Sequence, residues 1–214
     1  GDDISGGGNE FNNVLTGNAL TACAINIAGG QSTYATQTIQ ATNTVNGKPV
    51  YYYKAMDMTS TAVPTDAGQV ILGNVTNGHI SGLAIDNTTV AVLAGYSDHV
   101  AIDGCSFDNL TSVALSLQSS HYFTVGQCEF TSCEKGVLLN SANGNLVDNC
   151  TFKGCTEGIR IESGNNNRML YNTLSACDTG MYLYGQGSRA GYNTISQCRV
   201  GIDVRGTSID VDHN

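Results

Sequence analysis

Positive charge is scarce in this chain: 9 Lys plus Arg stand against 18 Asp plus Glu, for a formal net charge of −9 and a pI near 4.6. That balance argues against nucleic acid and anionic membranes as partners, because no cluster of cations exists to neutralise phosphates. Long apolar runs are missing too. None approaches the ~18 residues of a membrane-spanning helix, and the opening GDDISGGGNE has neither the basic nor the apolar region of a signal peptide, so it reads as the start of an already processed product. No helical stripe of useful length appears. Apolar residues alternate over short stretches and then meet Gly, Asn, Ser or Asp, which is the pattern of short strands and tight turns.

What is present is repetition. Between His121 and Thr207 a pattern of about 22 residues is written four times, as CEFTSCEKGVLLN, CTFKGCTEGIRIE, NTLSACDTGMYLY and NTISQCRVGIDVR. Aligned, these give columns: Phe130, Phe152, Leu174 and Ile195; then Cys133, Cys155, Cys177 and Cys198; then Gly136, Gly158, Gly180 and Gly201, each glycine followed by an apolar-x-apolar pair. Two or three short strands per period, coiled so that each repeat lies on the last, make a parallel β-helix whose equivalent residues stack about 4.8 Å apart. One repeat cannot bury its apolar edge alone, whereas stacked repeats form one continuous core. The register places Ile80, Ile102, Val125, Val147 and Met169 in one inward column, and Ile85 and Phe107 ahead of the Phe130 column. Leu115 and Leu117 fit the next strand only with one extra residue near Thr111 to Val113.

The runs NGNLVDNCTFKGCTEGIRIESGNNN and RMLYNTLSACDTGMYLYGQGS resemble right-handed parallel β-helix repeats of the carbohydrate-binding and sugar-hydrolase type, including the NosD-like repeats common in secreted archaeal proteins. The resemblance covers roughly 74–214, and the stretches NTVNGKPVYYYK and VPTDAGQVILGNVTN resemble the lead-in to such repeats in surface proteins of methanogens. It implies an all-β, right-handed parallel β-helix with rungs of about 22 residues. Function is another matter, since that family includes lyases, hydrolases, epimerases, adhesins and structural proteins. The expected organisation is an arm at 1–10, flexible or ordered by a partner; N-terminal rungs over 11–73, with an excursion near 31–48; and regular rungs over 74–214. A short helical turn near Ala19 to Ala24 competes with a strand there, and the alternation in TYATQTIQAT suggests an exposed strand.

Eight cysteines, an even number, suit an oxidising compartment. Cys133, Cys155, Cys177 and Cys198 form one ladder; Cys105, Cys128 and Cys150 form a second, continued by Asn172 and Asn193 at a turn that the resembled family often fills with stacked asparagines. The rung spacing falls inside the Cα window for a disulfide, so free buried thiols, vertical bridges and a soft-metal site are the open alternatives. Cys23 stands apart and is a candidate intersubunit thiol. Sequons at Asn74, Asn87, Asn109 and Asn149 are candidate N-glycosylation sites. The histidines are His79, His99, His121 and His213; His99 and His121 fall near one turn without an accompanying carboxylate set, so no metal site and no cofactor are expected.

Catalysis would require carboxylates from adjacent rungs aimed at one point. Asp103 and Asp148 are separated by Gly126 in their column, and the column of Asp108, Thr131, Lys153, Ser175 and Ser196 repeats no acid, so no catalytic residue is assigned. The best polar surface is the strand after the repeated glycine, where Arg160, Tyr182 and Asp203 form one outward column and Glu162, Tyr184 and Arg205 a second, two residues along. Rings beside charges suit a glycan or a lateral protein contact. Neither end shows a sequence cap, and SIDVDHN opens a rung that it does not complete. The expected function is a non-catalytic extracellular structural protein, with copies stacked through rung ends into a cell-surface layer, sheath or filament. The alternative is a carbohydrate-binding module, or a lyase, hydrolase or epimerase, acting on a surface polysaccharide.

Overall fold

The computed structural model describes residues 3–5, as backbone, and 12–214. The expected arm at 1–10 lies outside the described residues, apart from the strand Asp3–Ser5, which pairs in parallel with Asn26–Ala28. From Gln69 onward the chain is a parallel β-solenoid with three strands in each rung. A representative rung runs through Lys135–Asn140, Leu146–Asp148 and Thr151–Lys153, and the next begins with Glu157–Ser163 directly on Lys135–Asn140. Stacking yields sheets of ten, seven and six strands, one for each face.

The register follows the columns in the sequence. Ile80, Ile102, Val125, Val147 and Met169 are successive partners on the seven-stranded face. On the six-stranded face the series runs from Ile85 through Phe107, Phe130, Phe152 and Leu174 to Ile195. Val92 pairs with Leu115, which confirms the extra residue in that rung. Phe107, Phe130 and Phe152 stack with ring centroids 5.2 and 4.6 Å apart, so the core is a pile of like on like. The repeated glycine is explained by close approach: a Cβ on Gly136 would lie 2.6 Å from the Gly158 carbonyl oxygen and 2.7 Å from the Phe152 ring. Only glycine lets rungs close that tightly beside a ring ladder.

Polar ladders line two corners. Asn172 accepts from the Cys150 N–H at 3.0 Å and donates to the Val147 carbonyl at 2.9 Å; Asn193 and Asn214 repeat the motif on the following rungs. At the corner between the ten- and seven-stranded faces, Asn145 and Asn167 accept from Phe123 N–H and Asn145 N–H. A buried N–H that the ladder strands do not pair is thereby satisfied from the next rung.

The N-terminal part departs from this plan. Val14–Leu15 pairs with Thr38–Ile39, and Ala19–Leu20 with Thr44–Val45, in a small parallel coil. Between its two passes, Asn26–Ala28 and the helix Gln31–Thr36 cross the outward face of the ten-stranded sheet. The alternation in TYATQTIQAT is therefore part helix, and the segment at 19–24 begins as a strand. The reason is burial: Tyr34 lies against the backbone at Gly73 and Gly95, where a Cβ on Gly95 would sit 2.3 Å from its ring. Ile25 and Ile27 join Tyr34, Ile71, Leu93, Val90 and Val113 in a second apolar cluster outside the solenoid. At this end the rung core is also closed. Met58 and Val63 are buried, and the inward residues Tyr51 and Tyr53 keep their rings on the core while staying half-exposed. The cap missed in the sequence is thus made of amphipathic side chains.

Candidate functional site

The outward column of the ten-stranded sheet reads, rung by rung, Tyr52, Ile71, Leu93, Ser116, Leu138, Arg160, Tyr182, Asp203. Its first members are beneath the N-terminal segment and its last are bare. The structure brings Arg160, Tyr182 and Asp203 into one column, as expected. The Arg160 guanidinium lies 4.4 Å from the Tyr182 ring centroid and reaches Glu157 at 2.6 Å and Glu162 at 2.9 Å. Glu162 occupies an extra position where the register shifts beside Asn140, which turns its carboxylate back onto Arg160 and out of the row of Tyr184 and Arg205. Arg205 binds Asp203 through 2.7 and 3.1 Å hydrogen bonds, and that guanidinium holds the Asp203 carboxyl below the usual carboxylate range. Each of these carboxylates is therefore matched to an arginine, which fixes a mosaic of charge and leaves no pair poised for proton transfer.

Beside this column, at the corner toward the seven-stranded face, is a shallow groove of about 460 Å³ that runs across three rungs. Its floor is Gly164, Gly185 and Gly206: a Cβ on Gly164 would be 2.1 Å from the Ala142 oxygen, and one on Gly185 2.0 Å from the Gly164 oxygen. One wall is a polar row, Asn165, Gln186 and Thr207, held in register by parallel bridges. The other holds Tyr184, 51% exposed, and Arg205. The groove therefore repeats along the solenoid axis with the rung spacing of about 4.8 Å, close to the length of one sugar unit in an extended chain.

All eight cysteines are free thiols. Cys105, Cys128, Cys133, Cys150, Cys155 and Cys177 are buried, while Cys23 and Cys198 are half-buried. The ladder thiols hydrogen-bond to backbone carbonyls, as Cys128 does to Gly126 at 3.2 Å and Cys150 to Asp148 at 3.3 Å. Cys155 is pushed up to about 12, chiefly by its hydrogen bond with Cys133, with burial adding to it. Cys105 and Cys177 are raised for the same two reasons, through Cys128 and Cys155 respectively. Cys133 and Cys150 are lowered, chiefly by the hydrogen bonds with Cys155 and Cys128 respectively, and all six buried thiols fill the core as small side chains.

His99 and His121 stand in adjacent columns: Asp98 pairs with His121, and His99 stacks on Tyr122 at 4.9 Å. His121 Nδ1 accepts from the Asn143 N–H at 3.1 Å. Among the described residues no three His, Cys, Asp or Glu side chains converge as a metal site. One feature escaped the sequence reading. Tyr171, Tyr192 and His213 form an exposed stack, with centroids 5.2 and 4.8 Å apart, beside Arg189, which binds Asp212 at 2.9 and 2.8 Å. The signal was available, because these rings sit one rung apart at a turn column whose members adopt positive φ. Of the sequons, Asn87, Asn109 and Asn149 are exposed and Asn74 is half-buried.

No helix among the described residues is long and apolar enough to cross a membrane. Neither a search of curated proteins nor one of solved structures returns a match. A family model does match: the one described as periplasmic copper-binding protein (NosD), over residues 40–212. With that match covering most of the sequence and every rung of the solenoid inside it, the chain belongs to the NosD family.

Proposed function

We propose that this is an exported, non-catalytic β-helix protein that binds a saccharide chain along the bare part of its ten-stranded face and the adjoining corner groove. The observation that carries this is the groove itself. An exposed tyrosine ring and an arginine face a row of amide and hydroxyl groups in register, over glycines that let the three rungs stack closely at this corner. The ring supplies an apolar face for sugar C–H groups, and the polar row supplies donors and acceptors at fixed intervals. Because the arginines at 160 and 205 are already paired with carboxylates, the site suits neutral or weakly charged sugars better than polyanions. Affinity electrophoresis in gels containing neutral and acidic polysaccharides tests this. Retarded migration, reduced about tenfold in affinity by Tyr184→Ala, is expected; migration unaffected by every polysaccharide sinks the proposal.

The family description names copper, and the donors in this chain do not fit it. The ladder thiols hydrogen-bond to backbone carbonyls, His121 Nδ1 is engaged by the Asn143 N–H, and no three donors converge among the described residues. End-to-end stacking of copies into a surface layer or filament is the second reading. On the N-terminal side such a stack has to form over Tyr51, Tyr53 and the residues that close the core, instead of over a bare rung. Sedimentation velocity with electron microscopy decides it: filaments with the axial spacing of β-rungs support stacking, and a monomer at high concentration removes it.

A further inference from the structure

We propose that Asn149 carries an N-linked oligosaccharide whose first sugar packs on the open face of Tyr171. Asn149, Cys150 and Thr151 form an acceptor triplet. The four sequons differ in setting. Asn74 is half-buried, and its Oδ1 accepts from Gln31 at 2.7 Å. Asn87 and Asn109 bind each other, Asn109 Nδ2 donating to Asn87 Oδ1 at 2.7 Å. Asn149 is exposed, and its Nδ2 donates to the Asp148 carboxylate at 2.7 Å. A glycosylated amide keeps one N–H, so that bond survives the modification.

The second observation is what lies one rung on. Asn149 and Tyr171 occupy equivalent turn positions, with φ of +50° and +56°, so their side chains leave the solenoid in the same direction about 4.8 Å apart. Tyr171 is 53% exposed and stacks on Tyr192 at 5.2 Å with planes 11° apart. Tyr192 in turn stacks on His213. The pile therefore extends away from Asn149, and among the described residues no ring covers the Tyr171 face that points back toward it. A sugar on Asn149 Nδ2 sits at the radius of that ring and completes the pile, with its C–H face on the aromatic surface.

The modification is a group transfer. Asn149 Nδ2 forms a bond to the anomeric carbon of a lipid-linked oligosaccharide, the bond from that carbon to its phosphate oxygen breaks, and the amide proton passes to a base of the transferase. Cys150, the middle residue of the triplet, is 1% exposed in the finished fold, so transfer precedes closure of this rung.

The test is expression of the full chain through a secretory route that carries an oligosaccharyltransferase, with peptide mapping by mass spectrometry and thermal unfolding. Wild type is compared with Asn149→Gln, Tyr171→Ala and the double variant. Asn149→Gln is compatible with the fold, because Gln127 holds the same turn position one rung earlier with φ of +52°. The expected result is an oligosaccharide on Asn149 and a Tyr171→Ala penalty larger by about 2–4 °C in the glycosylated protein than in the Asn149→Gln background. An unmodified Asn149, or equal penalties in the two backgrounds, overturns the proposal.

Discussion

The two halves of the ten-stranded sheet present one outward column in two chemistries. In the N-terminal half Ile71 and Leu93 are buried beneath Ile27 and Tyr34; in the C-terminal half Arg160, Tyr182 and Asp203 occupy the same column and, among the described residues, no segment crosses over them. One inward column stays apolar and buried across this boundary: Val92, Leu115, Val137, Ile159 and Met181 are all buried. Along that column the core is indifferent to rung number, whereas the outer surface records which rungs are covered by the N-terminal segment.

The comparison can be broken most forcefully at Leu93. Leu93→Ala removes a buried side chain from the second cluster and is expected to cost about 2–5 kcal/mol in urea unfolding. Leu138→Ala, two rungs along the same column and half-exposed, is expected to cost about 1 kcal/mol or less. Equal costs would mean that the N-terminal segment does not bury this face.

A smaller effect separates the halves from inside, where one corner column changes from thiol at Cys105, Cys128 and Cys150 to amide at Asn172, Asn193 and Asn214. Asn172→Ala strands the buried N–H of Cys150 and is expected to cost about 1–3 kcal/mol. Cys128→Ala removes a sulfur that faces the Cys105 backbone N–H, a weaker acceptor than an amide oxygen, and should cost less in the same unfolding experiment. The reverse order would show that the thiols, not the amides, hold this corner.

The smallest effect concerns the last rungs. Asp212 is held down to about 2, first by Arg189 and then by His213. Since the folded value lies below the unfolded one, its stabilisation is present above about pH 4 and is lost as pH falls through about 2. Asp212 and Arg189 are both partly exposed, so solvent screens the effect. Thermal midpoints at pH 5 and pH 2 should differ slightly more for wild type than for Asp212→Asn, and an identical pH dependence would remove this ion pair from the account.

Much of this architecture was legible because stacking makes every inward column chemically uniform. Phe107, Phe130 and Phe152 had to coincide, and the row of Arg160, Tyr182 and Asp203 follows from the glycine that precedes each strand. What alternation does not reveal is whether an outward apolar residue faces water or another segment. Ile71 and Leu93 alternate with the inward Val70, Leu72, Val92 and Ala94, so they are outward apolar residues in consecutive rungs, and such a run needs a cover. The groove was half visible: Tyr184 and Arg205 were named, whereas the row of Asn165, Gln186 and Thr207 looked like ordinary turn composition. Glu162 is itself the extra residue of a register shift beside Asn140, a one-residue irregularity that a strict 22-residue column does not reveal.

The most direct test of the central claim is calorimetric titration of the wild-type chain with one neutral oligosaccharide series of increasing length, drawn from a polysaccharide that retards it. A groove that spans three rungs predicts affinity that rises with each sugar up to about three units and then levels off, with Tyr184→Ala lowering the whole series. Affinity independent of length and of Tyr184, or no heat at any length, would contradict the assignment of this face to a saccharide chain.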